Sequence, residues 1–155
     1  MKLTITKSKN LASKYLLDTK IKDGKFFYAH TKGVVKTVKL LAKKEKLKCE
    51  IFEIVAWVHD IGYSINKDKH AKYSLKILKK ENFEVDKIME DMILNHGNSG
   101  NPKTKQGKII QIADKIAIID KDFMQILLDN RISGEEIRFI KMLFDNCIKN
   151  LEKIK

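Results

Sequence analysis

Histidine occurs four times in the 155 residues, as His30, His59, His70 and His96, and two aspartates stand out beside them. His59 and Asp60 close the apolar run "IVAWV", and Asp114 interrupts the almost continuously apolar "IIQIADKIAII". Imidazole and carboxylate are ligands for zinc, manganese and non-haem iron when a fold gathers them in a dry, shaped pocket. An ionised carboxylate among apolar side chains is costly unless it is paired, and a cation removes that cost. Two such carboxylates on two core-forming segments point to a shared cation.

Taken one at a time, the same residues also fit ordinary structural roles. His30 suits a core histidine bonded to a carbonyl, His70 a polar first-turn residue, and His96 a helix-terminal histidine favoured by the dipole and followed by the stop signal Gly97. Asp60 suits a carboxylate accepting from a neighbouring helix end, and Asp114 a partner of one of many lysines. Five unrelated roles, for three of the four histidines and both aspartates, are a poorer account than one site.

The elements that must position these residues are helices. Apolar residues recur at three- and four-residue spacing almost throughout, with no sustained alternation of the strand type, so the fold class is all-α, a single helical bundle of about six to eight helices. The spacing predicts helices over 9–19, 26–46, 50–61, 70–81, 85–95 and 105–121. A short helix over 122–129 and a long amphipathic one from Ser133 follow, with Ser133 as N-cap and Glu136 at the capping-box position. His30 falls one turn before Val34 on the apolar face of the second helix, and Gly62 is expected to end the third. Residues 1–155 read as one domain, with a metal-site core over about 26–121 and C-terminal helices over 122–155.

Composition narrows the partners. Hydrophobic residues make up 43% and charged residues 34%, a balance that excludes a disordered chain. No segment approaches the roughly 20 apolar residues of a membrane span, and the N-terminus is unlike a signal peptide, so a cytoplasmic protein is expected. Cys49 and Cys147 read as thiols rather than a disulfide. Net charge is +12, from 32 basic and 20 acidic residues, which favours anionic partners. Of the basic residues only Arg131 and Arg138 are arginines, the type that reads guanine edges bidentately, so sequence-specific DNA binding is disfavoured.

The order His30, then His59 and Asp60 within "HDIG", then Asp114 within "IADK" resembles the HD superfamily of metal-dependent phosphohydrolases, over about residues 26–121. The resemblance is to the two-metal branch, in which one further histidine opens the helix after the motif and another ends the next helix, as in "HAKYS" and "ILNHG". It implies an all-α HD domain in which His30, His59, Asp60 and Asp114 hold one divalent ion, and Asp60, His70 and His96 a second. Iron or manganese is favoured, with zinc or magnesium as alternatives. The implied activity is hydrolysis of a phosphoester or phosphoanhydride in a nucleotide or dinucleotide by a metal-activated water, with Asp60 central to catalysis.

One position departs from that pattern. Many two-metal members carry a lysine directly after "HDIG", thought to meet the substrate phosphate, and single-metal nucleotidases often carry a glutamate there; this chain has Tyr63. Lys67, Lys69, Lys103 and Lys108 are candidates for the missing charge at the substrate. The alternatives to a phosphohydrolase are a di-iron oxygenase of the same superfamily, a basic nucleic-acid-binding or nuclease module, and a metal-binding relic without turnover.

Overall fold

Helix α1 (Ile5–Leu16) starts where the Thr4 hydroxyl accepts a hydrogen bond from the Lys7 backbone N–H. In this computed structural model residues 1–17, 23–120 and 123–125 are described, together with Arg138, Met142 and Asp145. Five further helices follow: α2 (Gly24–Lys44), α3 (Cys49–Val58), α4 (His70–Lys80), α5 (Lys87–Leu94) and α6 (Lys105–Ile116). Two single turns of 3₁₀ helix, Ile61–Ser64 and Ala117–Ile119, complete the order. No strand occurs among the described residues, in agreement with the all-α expectation.

The apolar α3 is the central element. Phe52, Val55, Ala56 and Val58 are buried on several sides of it, and it packs against α1, α2, α5 and α6. A helix surrounded by others needs no polar face, which is why its sequence is apolar nearly all round. Around it Val34 and Val38 of α2, Leu78 of α4, Met92 and Ile93 of α5, and Ile110 and Ala113 of α6 complete a continuous core. No helix among the described residues is long and apolar enough to cross a membrane.

Several expected boundaries move. The first helix runs from Ile5 to Leu16 rather than over 9–19, because Thr4 supplies a cap inside a lysine-rich segment. The third ends at Val58 instead of continuing to 61, with His59 at its C-cap and Asp60 leading into the 3₁₀ turn. Gly62 therefore sits inside that turn and does not stop α3. Helix α6 likewise gives way to a 3₁₀ turn after Ile116. The helices expected over 122–129 and from Ser133, and Cys147, lie outside the described residues, apart from residues 123–125, Arg138, Met142 and Asp145, which are helical. Cys49 is a free thiol.

Two close approaches set the geometry around the histidines. A Cβ on Gly62 would collide with the carbonyl oxygen of His70 and lie 2.5 Å from the Ser74 nitrogen, so only glycine lets the turn after the His-Asp pair rest on α4. The buried Ser74 hydroxyl ties this junction, donating to the His59 carbonyl at 2.7 Å and accepting from the Gly62 N–H at 2.9 Å. On the other side, a Cβ on Gly33 would lie 3.1 Å from the Ala117 carbonyl oxygen. That close packing of α2 on the end of α6 brings His30 to Asp114.

Candidate metal centre

His30 comes from α2, His59 from the end of α3, His70 from the first position of α4, His96 from just beyond α5 and Asp114 from α6. Asp60 lies at their centre. His59, Asp60, His96 and Asp114 are buried, whereas the His30 and His70 side chains keep 16% and 19% of their surface exposed. These two therefore face the opening.

Each of three histidines is oriented by its own backbone. Nδ1 of His59 donates to the Ala56 carbonyl at 2.8 Å, Nδ1 of His70 to the Lys67 carbonyl at 2.8 Å, and Nδ1 of His96 to the Ile93 carbonyl at 2.7 Å. A carbonyl oxygen only accepts, so in each neutral ring the proton sits on Nδ1 and the Nε2 lone pair points inward. This is how metal-ligating histidines are ordinarily fixed in one tautomer.

The inward atoms divide into two groups that share Asp60. Asp60 Oδ2 lies 3.3 Å from His59 Nε2 and 4.0 Å from His30 Nε2. Asp114 Oδ1 lies 2.7 Å from His30 Nε2 and 3.5 Å from His59 Nε2. Asp60 Oδ1 faces the other way, 3.4 Å from His70 Nε2 and 3.2 Å from His96 Nε2. Within each group, His30, His59, Asp60 and Asp114 or Asp60, His70 and His96, one ligand atom per residue lies within 4.8 Å of all the others.

The donor set fits cations at both positions. His59 Nε2 and Asp60 Oδ1 are buried with no hydrogen-bond partner, an expensive condition for polar atoms that a bound ion would relieve. The electrostatics agree. Asp60 and Asp114 are held well below the usual carboxylate range: burial opposes their ionisation but is outweighed, for Asp60 chiefly by His59 and for Asp114 chiefly by Lys115. Burial also disfavours a charged His59 ring, yet the nearby negative charges of Asp60 and Asp114 push its pKa up to about 10. His70 is shifted down, mainly by burial, and so keeps a neutral ring.

A cleft of about 230 Å3 opens over the cluster, walled by Phe26, Phe27, Tyr63 and Phe123 and with Lys115 at its edge. Lys115 pairs with Asp114 Oδ2 and is the lysine that lines this cleft. Sequence reasoning passed over it, although it stands beside Asp114 in "IADK". Lys67, Lys69, Lys103 and Lys108 are exposed and are not among the cleft's lining residues; Lys69 lines a second cavity that also touches His70 and His96. Tyr63 lies flat against His70, with ring centroids 4.1 Å apart and planes 6° from parallel. Burial and the charges of Asp60, Asp114 and Asp68 raise its pKa far above the ordinary phenol value, so the hydroxyl keeps its proton.

The family model described as HD domain matches residues 27–119, a span that includes all six clustered residues. The chain belongs to the HD domain family. A "Deoxyguanosinetriphosphate triphosphohydrolase-like protein" of Caldanaerobacter subterraneus subsp. tengcongensis is 27% identical over 128 residues, covering 70% of this chain and 36% of that relative. This HD domain chain thus spans little more than a third of the length of that protein. Among solved structures, the crystal structure of a predicted HD superfamily hydrolase from an uncultured Thermotogales bacterium is similar, with a TM-score of 0.63 and 17% identity over 96% of this chain and 90% of that one. At that identity the likeness concerns the fold alone.

Proposed function

We propose that this HD domain protein is a metal-dependent phosphohydrolase that cleaves a phosphoester or phosphoanhydride of a nucleotide or dinucleotide. The observation that carries the reading is the placement of Asp60, one oxygen toward each of two ligand groups, with the inward nitrogens of His59, His70 and His96 free of protons when those rings are neutral. His30, His59, Asp60 and Asp114 would hold one ion, and Asp60, His70 and His96 the other, with iron or manganese favoured and zinc or magnesium as alternatives. When bound, a pair of such ions supplies Lewis-acid polarisation of a water nucleophile and neutralises phosphoryl oxygens.

The chain's own residues account for binding and orientation. Asp60 and Asp114 remain ionised throughout the neutral range, and the backbone carbonyls of Ala56, Lys67 and Ile93 keep three imidazoles turned inward. Lys115 brings an ammonium to the edge of the cleft, suited to a phosphoryl oxygen. The aromatic wall limits water around the reacting group and offers apolar surface to the rest of the substrate. At about 230 Å3 the cleft is smaller than the few hundred to about 1,000 Å3 that encloses a drug-sized ligand, so it suits the phosphoryl end of a nucleotide.

A nucleotide substrate is supported by the name of the Caldanaerobacter relative, and an anionic one by the net charge of +12. The Lys67, Lys69 and Lys108 roles at the substrate are kept as a weaker part of the reading, behind Lys115. The deciding experiment is elemental analysis of the purified protein, followed by a phosphate-release screen over nucleotides with manganese, iron, zinc and magnesium. Turnover with at least one pair supports the reading. No turnover with any pair, or oxygen consumption without phosphate release, overturns it.

A further inference from the structure

His70 is the least constrained of the three backbone-anchored histidines. The carbonyl that orients it belongs to Lys67, in a turn where Lys67, Asp68 and Lys69 are all exposed. The carbonyls that orient His59 and His96 belong instead to Ala56 within α3 and Ile93 within α5, and both rings are buried. One hydrogen bond to an exposed turn restricts a ring poorly, since it leaves rotation about the bond axis.

A second restraint comes from Tyr63. Its ring stacks on His70 at 4.1 Å and 6°, and on Phe27 at 4.1 Å and 15°. Two rings cannot lie flat at that distance on one face, so Phe27, Tyr63 and His70 form a continuous three-ring stack. Phe27 stands on α2 one turn before His30, so the stack spans the site from the helix of His30 to that of His70. Tyr63 is itself held, because its neighbour Gly62 is seated on α4 through Ser74. With both faces covered, Tyr63 has no surface on which a base could stack; only its edge and hydroxyl remain for the cleft.

From this we infer that Tyr63 is a positioning residue that holds the His70 imidazole in the plane needed to bind the second cation. The inference rests on the two-ion reading above and goes beyond it by assigning Tyr63 a role of its own. The ring carries the role, and the hydroxyl is dispensable for it.

The test is a manganese titration of the full chain, reading stoichiometry and the two affinities by calorimetry or by the resonance of free ion. Three proteins are compared: unaltered, Tyr63→Phe and Tyr63→Leu. Tyr63→Phe keeps the stack and should bind both ions as the unaltered protein does. Tyr63→Leu keeps apolar bulk but removes the plane, and should weaken one ion by about 10- to 100-fold, the usual cost of losing a residue that orients a ligand, while leaving the other unchanged. Should Tyr63→Leu fail to fold, Phe27→Leu removes the backing ring and should show the same selective weakening. Equal binding of both ions by the leucine variants overturns the inference, as does loss in Tyr63→Phe equal to that in Tyr63→Leu. If the unaltered protein binds fewer than two ions, the two-ion reading itself falls, and this role for Tyr63 with it.

Discussion

The Nε2 atoms of His70 and His96 lie 3.1 Å apart, while the Nδ1 atoms of both rings donate to backbone carbonyls. In neutral rings, two lone pairs would then face each other across a hydrogen-bond distance with no proton between them, beside the carboxylate oxygen of Asp60. Such an arrangement is repulsive unless something positive lies between the rings. His70→Ala removes one acceptor from this side alone. Metal content should fall from about two ions per chain toward one, read by elemental analysis after desalting. Unchanged stoichiometry would remove His70 from the site.

Asp60 is shared by both groups, so its loss should behave differently. Asp60→Ala is expected to abolish metal-dependent phosphate release and to lower binding of both ions, while the far-ultraviolet spectrum stays helical. The helices should survive because the core around α3 is built from apolar contacts that do not involve Asp60. Hydrolysis that persists in a folded Asp60→Ala protein would sink the assignment.

Protons and metal ions should compete at His59. Without metal its pKa lies at about 10, above the ordinary value of 6.5. A raised folded pKa contributes stability that is fully present below the unfolded value and lost as pH rises through the folded one. The metal-free protein should therefore lose stability between about pH 6.5 and 10, as followed by thermal unfolding in the presence of a chelator. Metal at 100 times its dissociation constant should add about 2.7 kcal/mol, or roughly 5 to 10 °C for a chain of this size, and the gain should grow with pH as the competing proton leaves. A melting temperature indifferent to metal at every pH would contradict this.

Much of the site was legible because its residues break local rules. His59, Asp60 and Asp114 are ionisable groups inside apolar helical runs, and the scarcity of histidine tied His30, His70 and His96 to them. The partners that carry no such conflict were not legible. Lys115 is one lysine among 30, distinguished only by the turn of α6 that points it at the cleft, and the stack of Phe27 on Tyr63 joins residues 36 positions apart through tertiary packing. Helix periodicity located α2 to α6 but placed the end of α3 too late. The backbone leaves the α-helix at His59 and continues as a 3₁₀ turn, with the Tyr63 N–H bonded to the Asp60 carbonyl at 3.0 Å, and apolar Ile61 hides that change from any pattern of hydrophobicity.

The loop after His96 depends on a carboxylate outside the candidate metal centre. Asp91 accepts from Asn95 Nδ2 at 2.9 Å, the Lys103 N–H at 3.0 Å, the Thr104 N–H at 2.9 Å and the Thr104 hydroxyl at 2.6 Å. From the far side of the loop, Gln111 Nε2 contacts the carbonyls of Asn95, Gly97 and Gly100 at 3.2, 2.9 and 3.1 Å. Partial burial works against ionisation of Asp91, but the donated bonds prevail and its pKa is lowered. A lowered carboxylate pKa contributes stability above the unfolded value, near 3.9, and that contribution is lost as pH falls through the lower folded value. Asp91→Ala should cost about 1 to 3 kcal/mol at neutral pH, since it strands several donors at once. It should also flatten the acid limb of the stability curve below about pH 4. Because the loop leads directly from His96, the same variant should weaken metal binding while leaving α1 to α4 intact, as judged by hydrogen exchange. An Asp91→Ala protein that melts and binds metal as the unaltered protein does would show that the loop does not depend on Asp91.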